Sequence, residues 1–167
     1  MGRRFSNMQS KIKSLASLAR LRRRLRRAGR RVVLTNGCFD LLHAGHVEYL
    51  AAARRCGDVL VVALNGDRSV RRLKGPERPL VPQAARAQLM AALAAVDYVV
   101  VFDTLRVTPV IEALRPDVYV KGGDYTRATL NAEEREVLEG CGARIRLLKL
   151  KPGFSTTALV EKIRRMV

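Results

Sequence analysis

This chain predicts a doubly wound α/β fold, with a parallel sheet of about five strands covered by helices on both faces and an N-terminal helix in front of it. Three observations carry the prediction. Short runs dominated by Val and Leu alternate with longer stretches of helical periodicity. The runs are near-continuous in apolar residues, the pattern of strands buried on both faces. Parallel neighbours of that kind need helical crossovers, which are right-handed.

Leu15, Leu18, Leu21 and Leu25 recur at helical spacing, so an amphipathic helix is expected first. Its apolar side would pack on the domain, leaving Arg20, Arg22, Arg23, Arg24, Arg26 and Arg27 mostly in solvent. Strands are expected over Val32 to Asn36, Val59 to Leu64, Tyr98 to Phe102, Val118 to Lys121 and Ile145 to Lys149. Helical patterns run near Ala44 to Arg55, Gln83 to Ala95, Pro109 to Leu114, Leu130 to Glu139 and Thr156 to Met166. Ligands of such sheets bind at the carboxyl ends of the strands. The glycine-rich dinucleotide fingerprint and the Walker A motif are both missing from the sequence.

At 167 residues with 48% hydrophobic content, the chain has the size of one domain with a real core. No apolar stretch approaches the roughly 20 residues that cross a bilayer, and the N-terminus lacks the apolar core of a secretory signal, so a cytoplasmic protein is expected. Cys38, Cys56 and Cys141 form neither a CxxC pair nor an even set, as free thiols in a reducing compartment would. The net charge of +17 is unevenly spread: twelve of the 32 Lys and Arg fall in residues 1–31, which hold no Asp or Glu, leaving twenty basic against 15 acidic residues beyond. A basic segment with Phe5 as its one aromatic reads as a solvated helix more readily than as a polyanion site, so nucleic acid is not a favoured partner.

The chemistry concentrates after the first strand, in Thr35-Asn36-Gly37-Cys38-Phe39-Asp40-Leu41-Leu42-His43-Ala44-Gly45-His46. A strand stops at a glycine turn, and two histidines follow where a helix opens. The first N–H groups of a helix are unpaired and carry partial positive charge, so an anion is stabilised there. His43 and His46, three residues apart, share one helix face and can reach oxygens of one phosphate chain. Gly45 and Gly37 would let a nucleotide approach the backbone. A zinc site is the competing reading for the pair, but a structural site wants four ligands and no second pair is present. Near the C-terminus, Ser155, Thr156 and Thr157 open another helix after Pro152 and Gly153; on its own such a run is more often just a cap.

The segment from Thr35 to His46 resembles the T-x-G-x-F-D-x-x-H-x-G-H signature of the cytidylyltransferase-like nucleotidyltransferases. Within that superfamily the chain, from about Lys11 to its C-terminus, is most similar to the heptose-1-phosphate adenylyltransferases of lipopolysaccharide precursor synthesis. Further matches follow in order: Asn65 to Ser69, Arg72 to Gly75, Arg78-Pro79, Arg86, Val96-Asp97, Arg115 to Asp117, Lys121 to Tyr125 and Ser155 to Thr157. The resemblance implies a Rossmann-like sheet, with residues 32–167 as the nucleotidyltransferase domain behind a basic N-terminal segment and helix over 1–31. It implies transfer of AMP from ATP to a sugar 1-phosphate, with Mg²⁺ bridging phosphates and no dedicated metal cage in the protein. Small-molecule substrates are thus the expected partners, and a homodimer is allowed.

By the same resemblance His43, His46, Lys74 and Arg86 are the catalytic candidates, with Lys74 in a loop that runs to Pro82 and Arg86 offering a fork for phosphate. Nucleotide contacts are assigned to Asn36, Gly37, Phe39, Gly45, Gly122, Gly123, Asp124, Ser155, Thr156 and Thr157, and substrate contacts to Asp40, Asp67 and Lys121. Asp67 could equally cap the short helix after the second strand. Two departures stand out. Glycerol-phosphate relatives carry an arginine where this chain has Leu150; Lys149 or Lys151 could replace its charge but not its planar fork. Some heptose enzymes also carry a sugar kinase in the same chain, for which 167 residues leave no room, so a separate kinase is expected to supply the sugar phosphate. Two alternatives stay open: CTP-dependent transfer to glycerol 3-phosphate or another alcohol phosphate, and a non-catalytic polyanion-binding protein that works through the basic N-terminus.

Overall fold

The five Val- and Leu-rich runs pair side by side, all parallel, in the order β3-β2-β1-β4-β5. The structure, a computed structural model, describes residues 8–123, 125, 126, 128–149 and 153–166. The strands are β1 (Val32–Gly37), β2 (Val59–Asn65), β3 (Tyr98–Phe102), β4 (Val118–Gly122) and β5 (Arg144–Leu148). The helices are α1 (Leu15–Arg27), α2 (Ala44–Arg54), α3 (Asp67–Lys74), α4 (Gln83–Ala92), α5 (Thr108–Leu114), α6 (Ala132–Gly140) and α7 (Thr156–Arg164). Expected and observed strands agree to within a residue at each end. Helix α4 stops earlier than expected, and α6 starts at Ala132 because Asn131 caps it, its side chain accepting the Glu134 N–H.

The side-chain alternation along the strands builds two cores. Val32, Leu34, Val59, Val61 and Ala63 face one side, where Leu18 and Leu21 of α1, Ile111 and Leu114 of α5 and Leu138 of α6 cover them. Val33, Leu60, Val62 and Leu64 face the other, under Leu50 and Ala53 of α2 and Met90 of α4. Both faces being covered is why these strands lack polar alternation. Each fully buried aliphatic side chain here contributes about 1.5–3 kcal/mol relative to exposure. Strand β5 departs from the pattern: it is an outer strand, and Arg144 and Arg146 on it are both exposed. Charges on an edge discourage pairing with another chain.

Helix α1 begins at Ser14, whose hydroxyl accepts the Ser17 N–H, and packs with α5. One arginine expected in solvent is not there. Arg22 is buried, donating through Nε to the Leu114 and Arg115 carbonyls at 3.1 Å and through Nη2 to Asp117 at 2.8 Å. Asp117 uses its other oxygen to accept the Val32 N–H at 2.7 Å, so the arginine is recruited by the start of β1 rather than by water. Among the described residues no helix is long and apolar enough to cross a membrane.

Candidate active site

The loops leaving the carboxyl ends of β1, β2 and β4 meet the start of α7 around a cavity of about 790 Å³. Of the residues singled out in the sequence, Asn36, Gly37, Phe39, Asp40, His46, Lys74, Lys121, Gly122, Thr156 and Thr157 line it. Arg86 is buried behind its wall, His43, Gly45, Asp67, Gly123 and Ser155 are not part of its lining, and Asp124 lies outside the described residues, as do Leu150 and Lys151.

The histidine pair is built by the turn from β1 into α2. Phe39 takes a left-handed conformation, φ 45°, and its ring folds back over Gly37; a Cβ on Gly37 would stand 2.9 Å from that ring. The same ring meets His46 edge-on, with centroids 5.2 Å apart. His43 is the N-cap of α2, and its Nδ1 accepts the His46 N–H at 3.3 Å. One of the helix-start N–H groups expected to face an anion is therefore taken by a histidine. The two imidazoles stack at 3.7 Å with an 18° angle between planes. Burial pulls the His43 pKa down; burial and the neighbouring His43 pull His46 down to about 4, against a backbone hydrogen bond at Leu41. Both rings are neutral at pH 7, and among the described residues the buried Nδ1 of His46 has no hydrogen-bond partner. Gly45 has a role other than the one expected. A Cβ there would lie 2.9 Å from Phe154 and 3.1 Å from the His43 ring, so the close approach is made by the protein itself.

Two charged residues expected to touch substrate are instead committed to the protein. Arg86 is fully buried. Its Nε donates to the Val81 carbonyl at 2.8 Å, Nη1 to the carbonyls of Cys38 at 2.6 Å and Asn65 at 2.7 Å, and Nη2 to Asp67 at 2.7 Å. The fork that suited a phosphate ties together the ends of β1 and β2 and the first turn of α3. Asp67 sits in that first turn, where a carboxylate complements the helix dipole, with Gly66 as the N-cap. Asp40 is likewise engaged, accepting from Arg78 at 2.7 Å and from the Leu80 and Val81 N–H groups at 2.8 and 2.9 Å. Burial pushes the Asp40 pKa up, but those amides and Arg78 outweigh it and hold the carboxyl below its ordinary value. It anchors the loop between α3 and α4 to the signature segment.

The remaining wall comes from β4 and α6. Asn36 accepts through Oδ1 from the Tyr119 hydroxyl at 2.7 Å and from Lys121 at 3.0 Å. Burial lowers the Lys121 pKa, while Glu134 and Cys38 oppose it. Gly123, at φ 113°, donates its N–H to Leu148 and so ties the end of β4 to β5. At the start of α7 the Ser155 hydroxyl caps the helix by accepting the Ala158 N–H, and the Thr156 hydroxyl donates to the Leu41 carbonyl beside the histidines. Glu134 and Arg106 line the cavity without having been singled out, and Arg78, matched in the resemblance but given no role, lines it too. Only Glu134 carries a local signal, since Asn131-x-x-Glu134 has capping-box spacing.

Such a cavity can seat a polyphosphate beside neutral imidazoles, Lys74 and threonine hydroxyls. Among the described residues no three His, Cys, Asp or Glu converge to hold a metal ion.

Known proteins agree with this geometry. Bifunctional protein HldE from Syntrophotalea carbinolica is 52% identical over 154 residues, which is 92% of this chain and 31% of that protein. Its namesake from Geotalea uraniireducens is 51% identical over 164 residues, 98% of this chain and 33% of the relative. The chain thus spans about a third of the length of these relatives. The crystal structure of the lipopolysaccharide core biosynthesis protein from Thermoplasma volcanium GSS1 superposes with a TM-score of 0.60 at 26% identity, covering 74% of this chain and 98% of that one. The cytidylyltransferase-like family model matches residues 34–162, from the first strand through most of the last helix. With its signature histidines at the start of α2 and its cleft at the strand ends, this chain belongs to the cytidylyltransferase-like family.

Proposed function

We propose that the chain transfers the adenylyl group of ATP to heptose 1-phosphate, giving ADP-heptose and pyrophosphate for lipopolysaccharide core precursors. The observation that carries the proposal is His46: it lines the cavity at the start of α2, its ring stacked on His43 and met edge-on by Phe39. The names of the relatives, bifunctional protein HldE and a lipopolysaccharide core biosynthesis protein, support the choice of substrate.

In this reaction an oxygen of the sugar phosphate attacks the α-phosphorus of ATP. The new P–O bond forms as the bond to the β-phosphate bridging oxygen breaks, and the electron pair leaves with pyrophosphate. No side chain is attached covalently; the protein aligns two anions and stabilises the charge that builds on the transferring and leaving groups. His43 and His46 hydrogen-bond the triphosphate, Lys74 adds charge at its β- and γ-phosphates, and Ser155, Thr156, Thr157 and the backbone after Gly37 complete the cradle. Arg86 and Asp40 act as positioning residues. Mg²⁺ would travel with the triphosphate, held by phosphate oxygens and water, because the described carboxylates do not form a site for it. Residues 32–167 make up the catalytic unit in this proposal, and the reaction belongs to the cytoplasm, where both substrates are dissolved.

The test is pyrophosphate release in the presence of Mg²⁺, crossing ATP and CTP with heptose 1-phosphate, glycerol 3-phosphate and no acceptor. Release with ATP and the heptose alone is expected. Release with CTP and an alcohol phosphate would move the chain to the other branch of its family, and no release in any combination would sink the proposal.

A further inference from the structure

The cavity has two chemically different walls. Helix α2, over one face of the sheet, brings His46; helix α6, over the other, brings Glu134. The first wall suits phosphate, as described above. The second holds a carboxylate that is only 6% exposed yet lines the cavity. A buried carboxylate is costly unless something satisfies it.

Among the described residues, the groups that face it are the Tyr119 hydroxyl and Lys121. Glu134 lies beside the Tyr119 hydroxyl, and burial together with the Glu134 charge pushes the Tyr119 pKa well up. That hydroxyl has a single proton, and it points at the Asn36 amide oxygen 2.7 Å away. A carboxylate can accept about four hydrogen bonds, so Glu134 has acceptor capacity to spare. The Asn36 oxygen takes both Tyr119 and Lys121, which turns its amide nitrogen to donate elsewhere. Glu134, Asn36 and Lys121 thus set an acceptor among donors on one cavity wall. Phosphate, which only accepts, is repelled by that carboxylate. A sugar hydroxyl, which donates and accepts at once, matches all three groups.

We infer that Glu134 is a specificity-determining residue that accepts hydrogen bonds from vicinal hydroxyls of a bound sugar, with Asn36 and Lys121 donating to the same hydroxyls. The inference deepens the proposed function and rests on it for the identity of that sugar, which is either the acceptor sugar phosphate or the ribose of the nucleotide. The carboxylate also keeps phosphates on the far side of the cavity, next to the histidines, and so sets the direction in which the two substrates lie.

The test compares wild type with Glu134→Gln, which keeps the shape and the Tyr119 contact, and with Glu134→Asp, which keeps the charge but shortens the reach. A site built to bind a hydroxyl discriminates strongly when one partner is altered. For the acceptor sugar, KM for heptose 1-phosphate rises about tenfold or more in the glutamine variant, KM for ATP stays put, and the aspartate variant recovers part of the loss. For ribose, KM for ATP rises instead, and the preference for ATP over 2′-deoxy-ATP disappears. Unchanged KM values for both substrates, with only the melting temperature altered, would overturn the inference and leave the proposed function standing. A wild-type protein without turnover would sink the proposed function. Calorimetric titration with heptose 1-phosphate and with ADP then decides the hydroxyl site, which fails if Glu134→Gln binds both as tightly as wild type.

Discussion

Replacing Arg86 by lysine separates a structural from a catalytic arginine. The guanidinium has no solvent exposure and makes four hydrogen bonds, three to carbonyls of separate loops and one to Asp67. Lysine keeps the charge but, as a point donor on a flexible stem, cannot span these acceptors. Hydrogen bonds to a charged group are worth about 1.5–3 kcal/mol each, and breaking a buried charge pair costs about 3–5 kcal/mol, so a loss of about 3–5 kcal/mol is expected. A protein of this size loses about 2–4 °C per kcal/mol, which places the melting temperature about 6–20 °C lower. Urea denaturation should show a lower midpoint at an unchanged slope. At a temperature where the variant is folded, KM for ATP should shift more than kcat, because Asp67 and the Cys38 carbonyl frame the site without touching phosphate. A variant that melts within about 2 °C of wild type while kcat falls about a hundredfold would refute this account and put the guanidinium on the substrate.

Three further outcomes follow from the same geometry. His46→Ala should lower kcat by about 10²-fold or more with the fold retained, as loss of a transition-state donor does; turnover near wild type would remove His46 from the reaction. With His46 held at about 4 in the fold against 6.5 in the unfolded chain, the unfolded chain binds the proton more readily, so its stabilising contribution is complete above pH 6.5 and is lost as pH falls toward 4. For a half-buried ring this amounts to about 1–2 kcal/mol, and an NMR titration of the ring with a midpoint near 6.5 would contradict it. Asp40→Asn should release the loop between α3 and α4, and hydrogen exchange at the Leu80 and Val81 amides should quicken by about 10- to 100-fold; unchanged protection would mean that the carboxylate does not hold the loop.

What the sequence tells reliably here is what depends on pattern. Val-rich strands buried on both faces, the helix that opens at Ala44 and the common face of His43 and His46 are local consequences of residue order, and the structure reproduces them. What it does not tell is the destination of long charged side chains. Arg22, Arg86 and Asp40 look like their many solvated counterparts, because their partners lie 19 to 95 residues away in the chain. Glu134 is hidden for a related reason: capping-box spacing predicts a side chain turned back to its own helix start, and only the packing of α6 on the sheet, in the core that holds Tyr119, places it on the cavity wall. The Gly45 case is subtler, since the need for a missing Cβ is visible in the motif but the neighbour that needs the space, Phe154, is more than a hundred residues on.

The stacking of the two imidazoles at 3.7 Å has a consequence for how the site exchanges protons with solvent. Two rings in face-to-face contact repel each other if both are charged, so the pair on its own stays uncharged, beside the lysines and arginines that line the cavity. A polyphosphate arriving there reverses the balance, favouring an imidazolium beside it, so nucleotide capture should be accompanied by proton uptake. The calorimetric heat of binding would then depend on the ionisation enthalpy of the buffer, and affinity for triphosphate would strengthen as the medium is acidified from neutrality. Near neutrality acidity would thereby be felt through the substrate, before the fold itself responds through His46 at lower pH.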